Sequence, residues 1–182
     1  MDLELRDTPK RYGLVSRALH WSMAALFAWQ FLGVVVRGVV AKDSALDHLF
    51  HATHSPFGFL LFLLVLIRAL WTLSNRRTRP AYDRGPLGVA ARAGHAALYA
   101  LMVIVPLLAL LRAYGTGRGL NAFGLLQIIP ATGERIGWLV APASALHGPL
   151  AWALLVLIAG HVAMVFVHRD LLRDNVLAKM TG

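Results

Sequence analysis

The sequence predicts an all-α fold, an integral membrane bundle of four transmembrane helices, and three observations carry that prediction. The 182-residue chain is 58% hydrophobic with a mean hydropathy of +0.61, which is more apolar side chain than one small soluble core uses. Its apolar residues gather into four windows of about 20 residues, the length that crosses a ~30 Å hydrocarbon layer as helix. Each window is bounded by basic residues or turn chemistry.

The first span is predicted over residues 18–36. Lys10, Arg11 and Arg17 precede it, and Arg37, Gly38 and Lys42 follow. Its basic flank is like that of a secretion signal, but the apolar stretch is too long and lacks a small-x-small cleavage site, so it reads as a retained span. The second span, 55–73, ends in Ser74-Asn75-Arg76-Arg77, and Pro80, Gly85 and Pro86 break the chain before the third, 93–111. Pro106 falls inside that third span and is expected to kink it, which lipid-embedded helices tolerate. The segment from Arg112 to Leu146 is long and apolar, with Phe123-Gly124-Leu125-Leu126 and Ile128-Ile129-Pro130. It is expected to lie along the outer interface as a short helix, or to fold over the bundle mouth. The fourth span is 148–167. With no internal repeat, low-complexity tract or soluble module, residues 1–182 read as one transmembrane domain.

Charge sets the orientation. Eighteen Lys and Arg stand against nine Asp and Glu, a net charge of +9. On a soluble chain that excess would point to nucleic acid; here topology accounts for it, and no nucleic-acid partner is expected. The N-terminal segment (Arg6, Lys10, Arg11, Arg17), the second loop (Arg76, Arg77, Arg79, Arg84, Arg92) and the tail (Arg169, Arg173, Lys179) carry twelve basic residues. The first and third loops carry five: Arg37, Lys42, Arg112, Arg118 and Arg135. This imbalance places both termini in the cytoplasm, as in a multi-pass protein of a bacterial inner membrane. The absence of Cys excludes disulfides, thiolate-held zinc, iron–sulfur clusters and covalently attached c-type haem. Any metal is held by His, Met or carboxylates.

Ionisable side chains at membrane depth are costly, so each one there is a functional candidate. His20 opens span one and His95 span three on the cytoplasmic side, whereas His51 and His54 open span two on the outer side. His147 opens span four, and His161 lies fourteen residues further along it. At ~1.5 Å and ~100° per residue, fourteen residues rise about 21 Å and return to within about 40° of the same face. One helix thus offers two imidazoles to the bundle interior, one near each surface. His54 enters at the level of His147, and His20 at the level of His161. Two layers of paired His are what two stacked, non-covalent b-type haems require, with His20 and His161 on the cytoplasmic-side iron and His54 and His147 on the periplasmic-side iron. Two imidazoles per iron leave no open position, which suits electron transfer.

His51 is the alternative to His54, one helical turn away. His54 is preferred because Gly58 follows one turn later, where a missing side chain admits a macrocycle; Gly160 offers the same beside His161. His95 is an alternative ligand to His20 or His161, and otherwise bonds a haem propionate or lines a proton or quinone path. Arg68, near the cytoplasmic end of span two, either snorkels or pairs with a propionate. His48 and His168 read as solvated loop residues, with His168 also a candidate for the proton or quinone path. Trp21, Trp29, Trp71 and Trp138 read as interfacial anchors or packing, and Trp152 as packing.

Several of these residues occur in an ordered set. Arg11-Tyr12 is followed by Ala18-Leu19-His20-Trp21, then by His54-x-x-x-Gly58 leading to Arg68, then Gly94-His95. His147 and His161 follow, then His168 and the tail Arg169-Asp170-Leu171-Leu172-Arg173-Asp174-Asn175-Val176-Leu177. In this set, over nearly its full length, the chain resembles the bacterial cytochrome b561 family. The resemblance implies a four-helix membrane cytochrome with two non-covalent b haems on the same ligand pairs. It also implies electron exchange with the ubiquinone pool, and a similar protein is described as a superoxide oxidase. The expected activity is therefore that of an oxidoreductase which takes the electron from superoxide and passes it to ubiquinone, with His95 and His168 in the quinone vicinity. An alternative role is a cytochrome b subunit that anchors a soluble redox partner, a dehydrogenase or hydrogenase, to quinone. An alternative of another class is a cofactor-free transporter or assembly protein.

Overall fold

The computed structural model describes residues 4–181. Four long helices dominate it: α1 (Leu14–Val39), α2 (Ala45–Ser74), α3 (Pro86–Gly115) and α4 (Gly137–Phe166). They take up the four predicted spans in order, and all four are long and apolar enough to cross a membrane. At about 1.5 Å per residue they outrun the hydrocarbon layer, so their ends reach the interfaces.

Local chemistry explains where they begin. Gly13 precedes α1 because the chain folds back on Arg6, whose backbone a Cβ at position 13 would meet at 2.4 Å. Helix α2 is capped by the Ser44 hydroxyl, which accepts from the Asp47 N–H at 3.2 Å. Asp47 itself lies in the first turn, where the helix dipole favours an anion. Pro86 opens α3, where its missing N–H costs nothing. Pro106 lies inside α3 as expected, and Pro56, Pro142 and Pro149 lie inside α2 and α4.

The connection between α3 and α4 corrects the expected short interfacial helix. It holds an antiparallel hairpin of β1 (Leu120–Ala122) and β2 (Leu126–Ile129). Left-handed glycines set this course. Gly117 (φ 69°) and Gly119 (φ 70°) lie where a Cβ would come within 2.4 Å of the Glu134 and Ile129 carbonyl oxygens, and the β-branched Ile128 and Ile129 favour an extended strand. The other expectation, a cover over the bundle mouth, matches the structure. The Phe123 ring lies 5.6 Å from that of Phe57 on α2, and Leu120 lines a cavity at this end.

Met23, Leu61, Val65, Leu98, Met102 and Leu154 form the buried core, drawn from all four helices. Outward side chains such as Leu70 and Val156 remain exposed and apolar, a surface matched to lipid. The end opposite the hairpin is closed by the chain termini. A π-helical turn, Val167–Leu171, follows α4, and a short helix α5 (Ala178–Thr181) ends the described chain. Tyr12 N–H donates to the Lys179 carbonyl at 3.0 Å, and Trp21 Nε1–H to that of Met180 at 3.1 Å. Trp71 ties α2 to α1 by donating to the buried Ser16 hydroxyl at 3.0 Å.

Candidate functional site

Three helices bring four histidines together in two pairs. At the hairpin end, His54 of α2 faces His147 of α4, with ring centroids 6.4 Å apart and planes at 78°. At the terminal end, His20 of α1 faces His161 of α4 at 6.2 Å and 72°. A metal–imidazole bond of about 2 Å, with the nitrogen roughly 1.2 Å from the ring centre, puts two imidazoles on opposite sides of one ion about 6.4 Å apart, centre to centre. His51 is exposed, and His54 is the residue of that turn that faces His147.

Other observations test whether these residues suit a porphyrin iron. The His147 Nδ1 lies 3.0 Å from the Val105 carbonyl. Donation from Nδ1–H leaves Nε2 with its lone pair, the tautomer a metal requires. His20 Nδ1 is buried with no hydrogen-bond partner. A cavity of about 300 Å³ adjoins the hairpin-end pair, lined among others by His54, His147, Gly58, Gly148, Phe31 and Met102. A Cβ at Gly148 or Gly160 would meet no atom within 4 Å, whereas one at Gly58 would lie 3.3 Å from Gln30 Nε2. Spacing and donor chemistry suit bis-imidazole ligation, and at the hairpin end so does the space.

The remaining sequence candidates fall into place around the terminal-end pair. His95 lies 5.2 Å from His161, shorter than a shared ion would set, and its Nδ1 is 2.7 Å from the Ala91 carbonyl of its own helix. The Arg68 guanidinium lies 5.8 Å from the centre of the Tyr99 ring. Among the described residues no carboxylate lies within ion-pair distance of it. His168 is not a loop residue. It sits on the π-helical turn, with Nδ1 2.8 Å from Asp174 Oδ1, because that turn carries the helical course on from α4 beyond the predicted span. His48 likewise lies on α2, exposed, rather than in a loop.

Some neighbours were not anticipated. Gln30 Nε2–H donates to the His54 carbonyl at 2.8 Å, and the one amide of a mostly apolar span was a legible signal. Tyr82, from the α2–α3 loop, places its ring 5.6 Å from His95; burial pushes its phenol above the ordinary range. Arg37 Nε–H donates to Asp47 at 2.7 Å, bracing α1 against α2. Neither partner choice was visible without the fold.

A sequence model described as prokaryotic cytochrome b561 matches residues 11–182. The chain is 31% identical over 181 residues to a protein of Escherichia coli (strain K12) called cytochrome b561 homolog 2, covering 99% of this chain and 96% of that one. It is 24% identical over 172 residues to the probable superoxide oxidase CybB of Yersinia pestis, covering 94% and 96% respectively.

Proposed function

Because this chain belongs to the prokaryotic cytochrome b561 family, and is thus a membrane haem b electron carrier, we propose that it binds two non-covalent b haems and passes electrons from superoxide to ubiquinone. The observation that carries the two-haem reading is the pair of His–His spacings, 6.2 and 6.4 Å, at opposite ends of one bundle. The Yersinia pestis relative, named a probable superoxide oxidase, supports the choice of electron donor.

Bound haem b supplies a reversible one-electron couple. The protein's share is to hold, orient and feed it. His54 and His147 would hold the group at the hairpin end, with Gln30 and the Val105 carbonyl fixing their helices and tautomer. His20 and His161 would hold the group at the terminal end, where the Arg68 guanidinium would be available to a propionate carboxylate. With the termini in the cytoplasm of an inner membrane, the hairpin end faces outward. There Arg112, Arg118 and Arg135 are exposed and without ion pairs among the described residues, and their field draws a small anion inward. Arg37, on the same side, does not belong to that set, because Asp47 neutralises it at 2.7 Å.

Superoxide gives up an electron and no proton, so this end needs no base. Two superoxide anions and one quinone, with two protons, yield two dioxygen molecules and one quinol. The protons enter at the terminal end, where His95 keeps Nε2 free beside His161 and His168 is joined to Asp174. The test is a reduced-minus-oxidised spectrum of the purified chain with haem quantified, followed by exposure to a superoxide-generating system with and without quinone. Two haems per chain, reduced by superoxide and reoxidised by quinone, are expected. One haem per chain overturns the architecture; inertness to superoxide, with a dehydrogenase co-purifying, overturns the donor.

A further inference from the structure

The lipid-facing surface is not uniform. At the terminal end, between α1 and α2, it dips into a groove of about 370 Å³ lined by Val15, Leu19, Ile67, Leu70, Trp71 and Ser74. Ile67 and Leu70 stand 51% and 68% exposed along it. The Trp71 indole N–H is spent on the buried Ser16 hydroxyl at 3.0 Å, so the polar atom of that ring is satisfied and the rest is left to apolar contact. Basic side chains gather at the groove's mouth from both walls. On the α1 side the chain before the helix doubles back: Leu14 N–H donates to the Glu4 carbonyl at 2.9 Å and Val15 N–H to that of Leu5 at 3.4 Å. This sets the exposed Leu5 and Arg6 beside the groove residue Val15. On the α2 side Ser74 is followed by the buried Asn75, whose Nδ2–H donates to the Trp71 carbonyl and to Ser74 Oγ, both at 3.0 Å. The turn so pinned carries Arg76 and Arg77. Arg6, Arg76 and Arg77 are exposed, and none has a carboxylate within ion-pair distance among the described residues. The two described acids of the N-terminal segment are already engaged, Glu4 by Arg11 at 3.3 Å and Asp7 by the Gly13 N–H at 2.9 Å.

We propose that this groove is a binding site for one anionic phospholipid, with an acyl chain against Leu19, Ile67 and Leu70 and the phosphate met by Arg6, Arg76 and Arg77. Basic residues at the end of a span attract anionic headgroups, and a guanidinium matches phosphate oxygens two at a time. The apolar groove beneath them adds what a surface charge alone lacks, a place where the chain of that same lipid lies. Two rival occupants fit less well. A quinone is as apolar but uncharged, and leaves the three guanidiniums unmatched. A second copy docking by this face would set the arginines against themselves, since a two-fold interface brings each patch onto its own copy. The site stands whether the bundle holds one haem or two.

The experiment titrates the purified full chain in detergent with dioleoyl phosphatidylglycerol or dioleoyl phosphatidylcholine and counts retained lipid by native mass spectrometry. One phosphatidylglycerol per chain is expected at concentrations where phosphatidylcholine is not retained. Arg76→Gln with Arg77→Gln is expected to weaken that binding by about tenfold or more. Arg84→Gln with Arg92→Gln removes the same charge from the α3 side of the connection, and is expected to leave binding as it was. Leu70→Trp fills the groove at an exposed position, keeps every charge, and is expected to expel the lipid. Equal retention of the two lipids overturns the proposal, as does an equal loss in both double variants, which is what diffuse attraction to a basic surface gives. If the Arg76→Gln, Arg77→Gln chain does not fold, Leu70→Trp decides: phosphatidylglycerol still bound to it sinks the site. One-for-one displacement of the lipid by a short-chain ubiquinone assigns the groove to quinone instead and likewise overturns the proposal.

Discussion

His147→Ala is the perturbation that most directly tests the site. His147 is shared by no other pair: its ring faces His54 at 6.4 Å, and its Nδ1 contacts only the Val105 carbonyl. Losing that hydrogen bond costs about 1 kcal/mol, small beside the roughly 5–15 kcal/mol that holds an ordinary domain together. The residue is half-buried beside an existing cavity of about 300 Å³, so the truncation enlarges a space already present and forces no neighbour to move. The chain should therefore fold and insert, yet lose the haem at one end. Pigment per chain should fall to about half in His147→Ala and again in His161→Ala, and vanish in the double variant. His51→Ala should keep all of it, because that side chain faces outward. The assay is haem extraction and quantification against protein mass in purified material, with a circular dichroism spectrum to verify helix content. Full pigment in both single variants would refute the ligand assignment, as would a half-loss in His51→Ala.

Three other outcomes follow from particular contacts. Superoxide-driven reduction should slow as ionic strength rises, and Arg112→Gln, Arg118→Gln and Arg135→Gln together should flatten that dependence; a wild-type rate indifferent to salt removes the steering role. Gly33→Ala should destabilise the α1–α2 contact by about 1–3 kcal/mol, because the new Cβ would stand 2.7 Å from the Phe50 ring, itself 7% exposed and unable to swing away; an unchanged or higher melting temperature contradicts this. Tyr82 has its phenol pKa raised by burial, with Tyr12 adding to the shift. A group raised on folding contributes stability that is intact below its unfolded value, about 10, and is lost as pH climbs through the folded value. Tyr82→Phe should accordingly soften the alkaline loss of stability, read as melting temperature against pH.

The long apolar windows made the four helices legible, since lipid leaves few other folds for such a chain. The pairing of His20 with His161 and of His54 with His147 was legible too, because depth along a helix is a linear function of sequence position. The hairpin was not. Its apolar residues fit an interfacial helix equally well, and the deciding features are the positive φ angles of Gly117 and Gly119, which composition does not reveal. Cross-chain partners were equally hidden. That Asp47 would neutralise Arg37, or that Tyr82 would pack beside His95, depends on how loops return to the bundle, and no periodicity encodes it. Gln30 was readable in principle, as the one amide of its span, but its acceptor, the His54 carbonyl, was not.

Helix α4 shows why so simple a pattern suffices to build two sites. His147, Leu154 and His161 recur every seven residues, which on an α-helix keeps them on one stripe with steps of about 10.5 Å. Leu154, 2% exposed, lies in the core layer with Met23, Leu61, Val65, Leu98 and Met102. That layer also forms part of the cavity floor, since Leu61, Met102 and Leu154 line the space beside His54 and His147. The same packing that holds four helices together thus walls one polar pair off from the other. Each pair needs only one partner helix to complete it, α2 at one end and α1 at the other, and α3 supplies a histidine to neither. Freed from that duty, α3 supplies the Val105 carbonyl at one level and His95 at the other. The division of labour follows from geometry: a helix that fixes two imidazoles on one stripe leaves its neighbours to differ, and it is in those neighbours, Arg68 against Arg37 and His95 against Val105, that the two ends of the molecule acquire different chemistry.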